Sequence, residues 1–203
     1  APTFVPSSTP VTSIPTATPS ITGLVVSIGI SKVITTELPE SEVERLKSVV
    51  AQSYGVDPKS VSSTVEYVTS GKMTVAIPEG VSNEDAVAAL TSVMSEKLGV
   101  SPESIQLSID SSTGEVSYTV TTTDFTAAQD IQNKLQEPTL VNDLNSKTNV
   151  LAISSISPNE EITAEVTVIV DADEVTVPLQ QAENTVDTLL GSEYTVDSKG
   201  KSL

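Results

Sequence analysis

The pattern of apolar and polar positions predicts alternating strands and helices from residue 23 onward. Residues 24–34, LVVSIGISKVI, form a run rich in β-branched residues that is typical of a strand. Residues 41–54 then carry apolar residues at helical spacing, and Ser41 with Glu44 has the pattern of a capping box. The folded region is therefore predicted to begin with a strand followed by a helix.

A strand pair and a second helix are predicted next. The strands cover residues 61–68 and 72–77, and residues 69–71, Thr-Ser-Gly, are predicted to form the turn between them. The second helix starts at Ser82, which precedes two acidic residues in the first turn, and it continues to Leu98.

The first helix and the turn after it recur 44 residues later as an internal repeat. Residues 55–61, GVDPKSV, match residues 99–105, GVSPESI, and Gly71 aligns with Gly114 after a one-residue deletion. Glycine at a helix end permits a positive φ, and the following proline stops the helix. These motif residues are therefore interpreted as structural.

The remaining elements give the order β-α-β-β-α-β twice. This order is that of the ferredoxin-like arrangement, so we predict an α+β protein with two tandem ferredoxin-like domains. The expected boundary lies near residues 111–114, giving domains at residues 23–112 and 113–203. The later elements are a helix at residues 125–135 that is broken near Pro138 and extended to residue 149, strands at 150–156 and 162–170, a helix at 179–190, and a strand at 193–196.

Residues 1–22 differ in composition and form an N-terminal arm. Prolines recur about every fourth residue, which excludes a helix and favours an extended polyproline II conformation. Most of the intervening residues are Ser or Thr, as in O-glycosylated stalks. An unmodified linker is the alternative. The candidate glycosylation sites are Thr3, Ser7, Ser8, Thr9, Thr12, Ser13, Thr16, Thr18, Ser20 and Thr22.

Charge and composition argue against several classes of function. The formal net charge is −17, which repels nucleic-acid phosphates, so no nucleic-acid partner is expected. The chain has no Cys and no His, which removes thiolate chemistry and the commonest general base. We therefore expect a protein that is not an enzyme and that has no cofactor.

The chain starts at Ala1, and no stretch reaches the roughly 20 apolar residues that a membrane-spanning helix needs. Together with the stalk-like arm, this start is interpreted as the result of signal-peptide removal. An expression product or a fragment of a longer precursor would begin in the same way. We expect a secreted protein in the extracellular space or at the cell surface, without membrane insertion.

One acidic group has ligands of the type that Ca²⁺ prefers. Asp171, Asp173 and Glu174 lie at the end of a predicted strand and offer oxygen atoms. The glycine and the ligand spacing of an EF-hand are missing, so a solvated acidic loop is the preferred interpretation. No metal site is assigned.

The Ser/Thr/Pro arm and the turns YGVDPKSV and LGVSPESI together support a family resemblance. The chain resembles secreted repeat proteins of algal and other microbial surfaces, and it is similar to subunits of glycosylated extracellular fibrils. The arm beside this fold also resembles mucin-associated SEA modules, although their self-cleaving Gly-Ser-Val-Val-Val turn is absent from this sequence.

These observations lead to two expectations about function. The first is a structural protomer of an extracellular, O-glycosylated filament or surface layer, which self-associates through the arm or the first strand. Pairing of residues 24–34 within their own chain is the simpler alternative for that strand. The second is a monomeric module for adhesion or ligand binding that is carried on a stalk.

Overall fold

The computed structural model describes residues 21–110, 112–148, 151–175 and 177–202. In these residues the protein is α+β, with one antiparallel sheet of seven strands and five α-helices. The strands are β1 (Ile21–Ile34), β2 (Val61–Ala76), β3 (Ile105–Asp110), β4 (Glu115–Thr122), β5 (Ala152–Pro158), β6 (Ile162–Val175) and β7 (Thr195–Ser202). The helices are α1 (Glu40–Tyr54), α2 (Asn83–Leu98), α3 (Phe125–Leu135), α4 (Leu140–Lys147) and α5 (Leu179–Leu190).

The long strand β2 organises the sheet. The strand order is β3-β4-β2-β6-β1-β7, and β5 pairs with the C-terminal part of β2. Residues 61–68 of β2 pair with β6, and residues 71–76 pair with β5. Both partners run antiparallel to β2, so β5 and β6 follow one another along it. On its other side, β2 pairs with β4 through residues 67–74.

Two hydrophobic cores lie against this sheet. The first contains residues of β1, β6, α1, α5 and the N-terminal part of β2. The second contains residues of α2, α3, α4, β3, β4, β5 and the C-terminal part of β2. Val61 and Met73 of β2 belong to different cores, but both are odd-numbered and so point to the same face. The helices therefore cover one face of the sheet along the whole of β2.

Helix α3 connects the two cores. Phe125 and Ala128 lie in the first core, whereas Ile131 and Leu135 lie in the second. The ring of Phe125 meets that of Tyr67 edge to face, with the centroids 5.4 Å apart. This is a favourable arrangement for two aromatic rings.

The structure confirms the repeated helix end and turn. Gly55 and Gly99 end α1 and α2 with φ values of 67° and 78°. Residues with a Cβ atom are strained in this left-handed conformation, whereas glycine is not. Each glycine is followed by a short 3-10 turn, Pro58–Ser60 or Pro102–Ser104, that leads into a strand. The predicted start of α2 is confirmed to within one residue: the helix begins at Asn83, and Ser82 is its N-cap, whose hydroxyl accepts from the amide of Asp85 at 3.1 Å.

The predicted turn at residues 69–71 is wrong, because β2 continues through it. Gly71 lies within the strand, where another chain segment approaches closely. A Cβ atom there would lie 2.4 Å from the Tyr118 hydroxyl, 2.6 Å from the Ser157 carbonyl oxygen and 2.7 Å from the Cα of Pro158. This glycine permits close packing rather than a chain reversal.

The predicted capping box of α1 is also wrong. Helix α1 begins at Glu40, its N-cap residue is Pro39, and no side chain caps it. Ser41 lies inside the first turn, so it cannot take the cap position.

Two tandem ferredoxin-like domains are not confirmed. The sheet is larger than the four strands of a ferredoxin-like domain. The expected boundary near residues 111–114 falls in the connection between β3 and β4, and Ile105 and Val116 of these strands lie in the same core. The first core instead combines the beginning and the end of the folded chain, from Val26 to Tyr194.

Candidate functional surfaces of the sheet

The sheet face opposite the helices, here called the open face, is rich in hydroxyl groups. Its side chains alternate with the core residues along each strand. Its charged members include Lys72 and Glu115, which form an ion pair at 2.8 Å. On β2, β3, β4 and β6 the hydroxyl residues of the open face are Ser62, Thr64, Ser70, Thr74, Ser108, Ser117, Thr119, Thr121, Thr163 and Thr167.

The chain enters the sheet from the arm through β1, which is an interior strand. β1 pairs with β6 through thirteen residue pairs, from Ile21 with Val175 to Ile34 with Ile162. Its other edge pairs with β7 through seven residue pairs. Any tension on the arm would therefore act on a strand that is held on both sides.

The predicted glycosylation sites lie almost entirely outside the described residues. The sites from Thr3 to Ser20 precede the first described residue. Thr22 is the exception, because its backbone is part of β1 and pairs with Glu174. Residues 21 and 22, which the sequence placed in the arm, therefore belong to β1.

Strand β3 forms one edge of the sheet, and among the described strands it pairs with β4 alone. The amide of Val75 donates to the carbonyl of Gly114 at 2.9 Å, so the even-numbered residues of β4 point their N–H and C=O groups toward β2. The odd-numbered residues of β4 therefore bond to β3, where they lie opposite the even-numbered residues. It follows that Ile105, Leu107 and Ile109 point their N–H and C=O groups away from β4. This edge contains no Lys, Arg or Pro.

Strand β5 forms a second edge, but its outward groups are protected. The side-chain amide of Asn145 donates to the Ile153 carbonyl at 2.7 Å and accepts from the Ile153 amide at 2.8 Å. Pro158 has no N–H group to offer, and the pairing with β2 shifts register between Thr74 and Val75. These features are known protections against pairing with another chain.

Strand β7 forms the remaining edge and carries the charged residues Asp197, Lys199 and Lys201. Charged residues on an edge strand oppose pairing with another chain. Of the three edges in the described part of the sheet, β3 is the least protected.

A polar cluster fastens the segment before β7 to α1 and β1. The Tyr194 hydroxyl donates to Glu42, and Arg45 donates two hydrogen bonds to the same carboxylate, at 2.9 and 2.8 Å. Lys32 pairs with Glu193 at 2.6 Å and lies 4.7 Å from the centroid of the Tyr194 ring. The hydrogen bonds from Arg45 and then Tyr194 lower the pKa of Glu42 to about 2. We interpret this cluster as structural.

Of the candidate acidic site, the side chains of Asp173 and Glu174 lie outside the described residues, and only that of Asp171 is described. Asp171 is exposed at the open face, and the backbones of Asp173 and Glu174 continue β6. In the described part of the chain, no three His, Cys, Asp or Glu residues lie close enough together to hold a metal ion.

A groove of about 710 Å³ lies between β5 and the connection from α3 to α4. Pro138, Val141 and Ile156 provide apolar atoms, and Glu137 and Glu160 also line the groove. The groove is widely open to solvent. None of its residues belongs to the predicted glycosylation or acidic sites.

Sequence reasoning missed the protected β5 edge, the Tyr194 cluster and the β3 edge. Asn145 is one polar residue in a short amphipathic helix, and nothing in its local sequence indicates a contact with β5. Only the strand order reveals which strands lie at an edge.

No described helix has the length and apolar character required to span a membrane. Searches of protein-family models, curated proteins and solved structures gave no match to this chain.

Proposed function

We propose that this chain is a structural protomer of an extracellular, O-glycosylated filament or surface layer, and that its arm links neighbouring protomers. The observation that carries the proposal is the route of the arm into the sheet. The arm continues directly into β1, an interior strand paired on both sides.

The geometry of β1 suits a load-bearing connection. A pull on the arm that is opposed beyond the far end of β1, near Ile34, would act along the strand and load the β1–β6 and β1–β7 hydrogen bonds together in shear. A single backbone hydrogen bond contributes only about 1 kcal/mol, but bonds loaded together must break together. Val26, Ile28 and Ile30 additionally bury their side chains in the first core.

The arm is proposed to carry O-linked glycans on its Ser and Thr residues and to extend from the folded region in a polyproline II conformation. The protein would be secreted, would have neither enzymatic activity nor a cofactor, and would bind no nucleic acid. Its net charge of −17 supports the last point.

We also propose that the sheet comprises two ferredoxin-like units that are nested rather than tandem. The order β7-β1-β6-β2 with α1 and α5 matches the connectivity of one unit, and β3-β4-β2-β5 with α2 to α4 matches that of the other. Each unit has its own core, and β2 is a strand of both units.

A monomeric adhesion module is the second candidate, and the open face favours it. Ten hydroxyl side chains on four strands of the open face can both donate and accept hydrogen bonds to a polar surface such as a glycan. The oligomeric state of the purified protein distinguishes a filament protomer from a monomer on a stalk.

The test compares the full chain with two variants. The first lacks residues 1–20, a deletion that leaves β1 intact. The second replaces the arm by a Gly/Ser segment of the same length. We expect the full chain to form filaments visible by negative-stain microscopy, and both variants to lose them while keeping their fold. Normal filaments from both variants would remove the arm from the assembly, and a full chain that stays monomeric at high concentration would favour the adhesion module.

A further inference from the structure

We propose that β3 is a dimerisation edge, which pairs antiparallel with β3 of a second copy about a two-fold axis at Leu107. Pairing would join the two sheets into one. This inference goes beyond the proposed function and does not need the arm, because it rests on the described residues of the folded region.

The backbone of β3 is available for this pairing. Ile105, Leu107 and Ile109 point their N–H and C=O groups outward. The edge has none of the Pro, Lys or side-chain caps that protect β5 and β7. Three outward residues on each copy would supply the six hydrogen bonds of a short antiparallel ladder.

The side chains of β3 are self-complementary about Leu107. In that register Leu107 meets the partner's Leu107, and Ile105 meets the partner's Ile109 on the helix side of the sheet. Leu107 and Ile109 are only partly buried, whereas Val116 and Tyr118 on the next strand are at most 1% exposed. A second copy would cover the apolar surface that this edge leaves accessible.

The flank of α2 beside this edge is uncharged apart from Glu84 in the first turn, which is exposed. Val87, Thr91 and Ser95 continue this flank at four-residue intervals and carry no charge. The opposite flank carries Glu96 and Lys97, both in ion pairs with α4. Because α4 packs on β5 and α2 packs on β3, the flank of Val87, Thr91 and Ser95 lies on the β3 side.

The net charge predicts how this dimer responds to salt. Each copy carries a formal charge of −17, and the proposed contact contains no intermolecular ion pair. Salt screens the general repulsion between the copies. We therefore expect dimerisation to strengthen as the ionic strength rises, whereas a contact built on ion pairs would weaken.

The first experiment compares Leu107→Pro with Leu107→Ala by sedimentation velocity over a range of concentrations. Both variants lose the same side-chain packing, but only Leu107→Pro also removes an outward N–H, and that group makes no bond to β4. We expect wild type to dimerise and Leu107→Pro to weaken dimerisation at least about tenfold more than Leu107→Ala. Equal dimerisation of the two variants would overturn the proposal, as would a monomeric wild type.

The second experiment uses the absence of cysteine from the chain. Leu107→Cys would place two thiols opposite each other on the two-fold axis, where a hydrogen-bonded antiparallel pair has a Cα separation of about 5.5 Å, suitable for a disulfide. The control is Gln106→Cys, whose copies lie about 7–8 Å apart, too far for ready closure. We expect efficient cross-linking of the first variant alone, and equal cross-linking of both would contradict the register.

The same cross-linking in a chain that lacks residues 1–20 separates this inference from the filament proposal. Retained cross-linking places the contact in the folded region. Its loss would show that the arm occupies or builds the interface, and would overturn the β3 pairing.

Discussion

Substitution of Gly71 by Ala is expected to be among the most destabilising single changes in β2. The new Cβ atom would lie within 2.7 Å of atoms on two different strands, the Tyr118 hydroxyl on β4 and backbone atoms of Ser157 and Pro158 on β5. Real Cβ atoms do not approach so closely, so the strands must separate. The hydroxyl belongs to a ring that can shift, but the backbone atoms of β5 cannot move alone.

The expected magnitude follows from overpacking in a close-packed interior. Inserting one carbon into a filled site costs about 1–3 kcal/mol of unfolding free energy, and the close backbone contacts place Gly71→Ala near the upper value. The assay is urea unfolding monitored by circular dichroism. The m-value, the slope of unfolding free energy against urea concentration, should be the same in the variant and the wild type. Lys72→Ala is the matched control, because this exposed neighbour is expected to change stability by less than about 0.5 kcal/mol.

Two further variants separate the close-packing explanation from the turn that the sequence suggested. Asn is well tolerated where a turn needs a positive φ, so at a turn Gly71→Asn would be milder than Gly71→Ala. Within the strand it is expected to be at least as damaging. In the Gly71→Ala variant, a second substitution, Tyr118→Phe, removes the atom nearest to the new Cβ and is expected to restore part of the lost stability. Gly71→Ala within about 0.5 kcal/mol of wild type would refute the reasoning.

Two further predictions concern polar contacts. Glu42→Gln is expected to lower the free energy of unfolding at neutral pH and to make that free energy less dependent on acid pH. The folded-state pKa of Glu42, about 2, lies below the unfolded value of 4.5. The carboxylate therefore stabilises the fold above pH 4.5, and this stabilisation is lost as the pH falls toward about 2. Acid titration of unfolding free energy measures this, with an expected contribution of about 1–2 kcal/mol after allowance for solvent screening; an unchanged profile in the variant would contradict it. Asn145→Ala is expected to cost about 1–3 kcal/mol, because the amide and carbonyl of Ile153 lose their partner. Hydrogen exchange should then quicken at Ile153, and unchanged exchange would show that the cap is dispensable.

Local sequence signals were sufficient for the main helices and for the C-terminal ends of α1 and α2, although not for the start of α1. The pattern from Gly55 to Ser60 and its repeat contain glycine and proline at the positions where a helix must stop, so the signal and the structure it specifies lie within a few residues. The β-branched run of β1 is equally local. These elements follow directly from the hydrophobic pattern.

The topology was not available from local signals. A β-α-β-β-α-β order along the chain does not say which strands become neighbours, and the pairing of Val61 with Val170 joins residues that are far apart in sequence. The contacts that require glycine at position 71 come from β4 and β5. Because Thr-Ser-Gly is also a common turn sequence, the local pattern favoured the wrong explanation.

The candidate surfaces were predictable only in part. The hydroxyl-rich arm is a compositional feature and could be recognised from sequence. The edge position of β3 depends on the complete strand order, and the protection of β5 by Asn145 depends on the packing of α4. Neither property can be recognised from a short stretch of sequence.

The most direct test of the central claim is intact-mass analysis together with negative-stain microscopy on protein isolated from its native source. The account predicts a mass above that of the 21.2 kDa chain, in steps of sugar residues that map to residues 1–20, and filaments or ordered layers in the images. An unmodified monomer without ordered assemblies would contradict it.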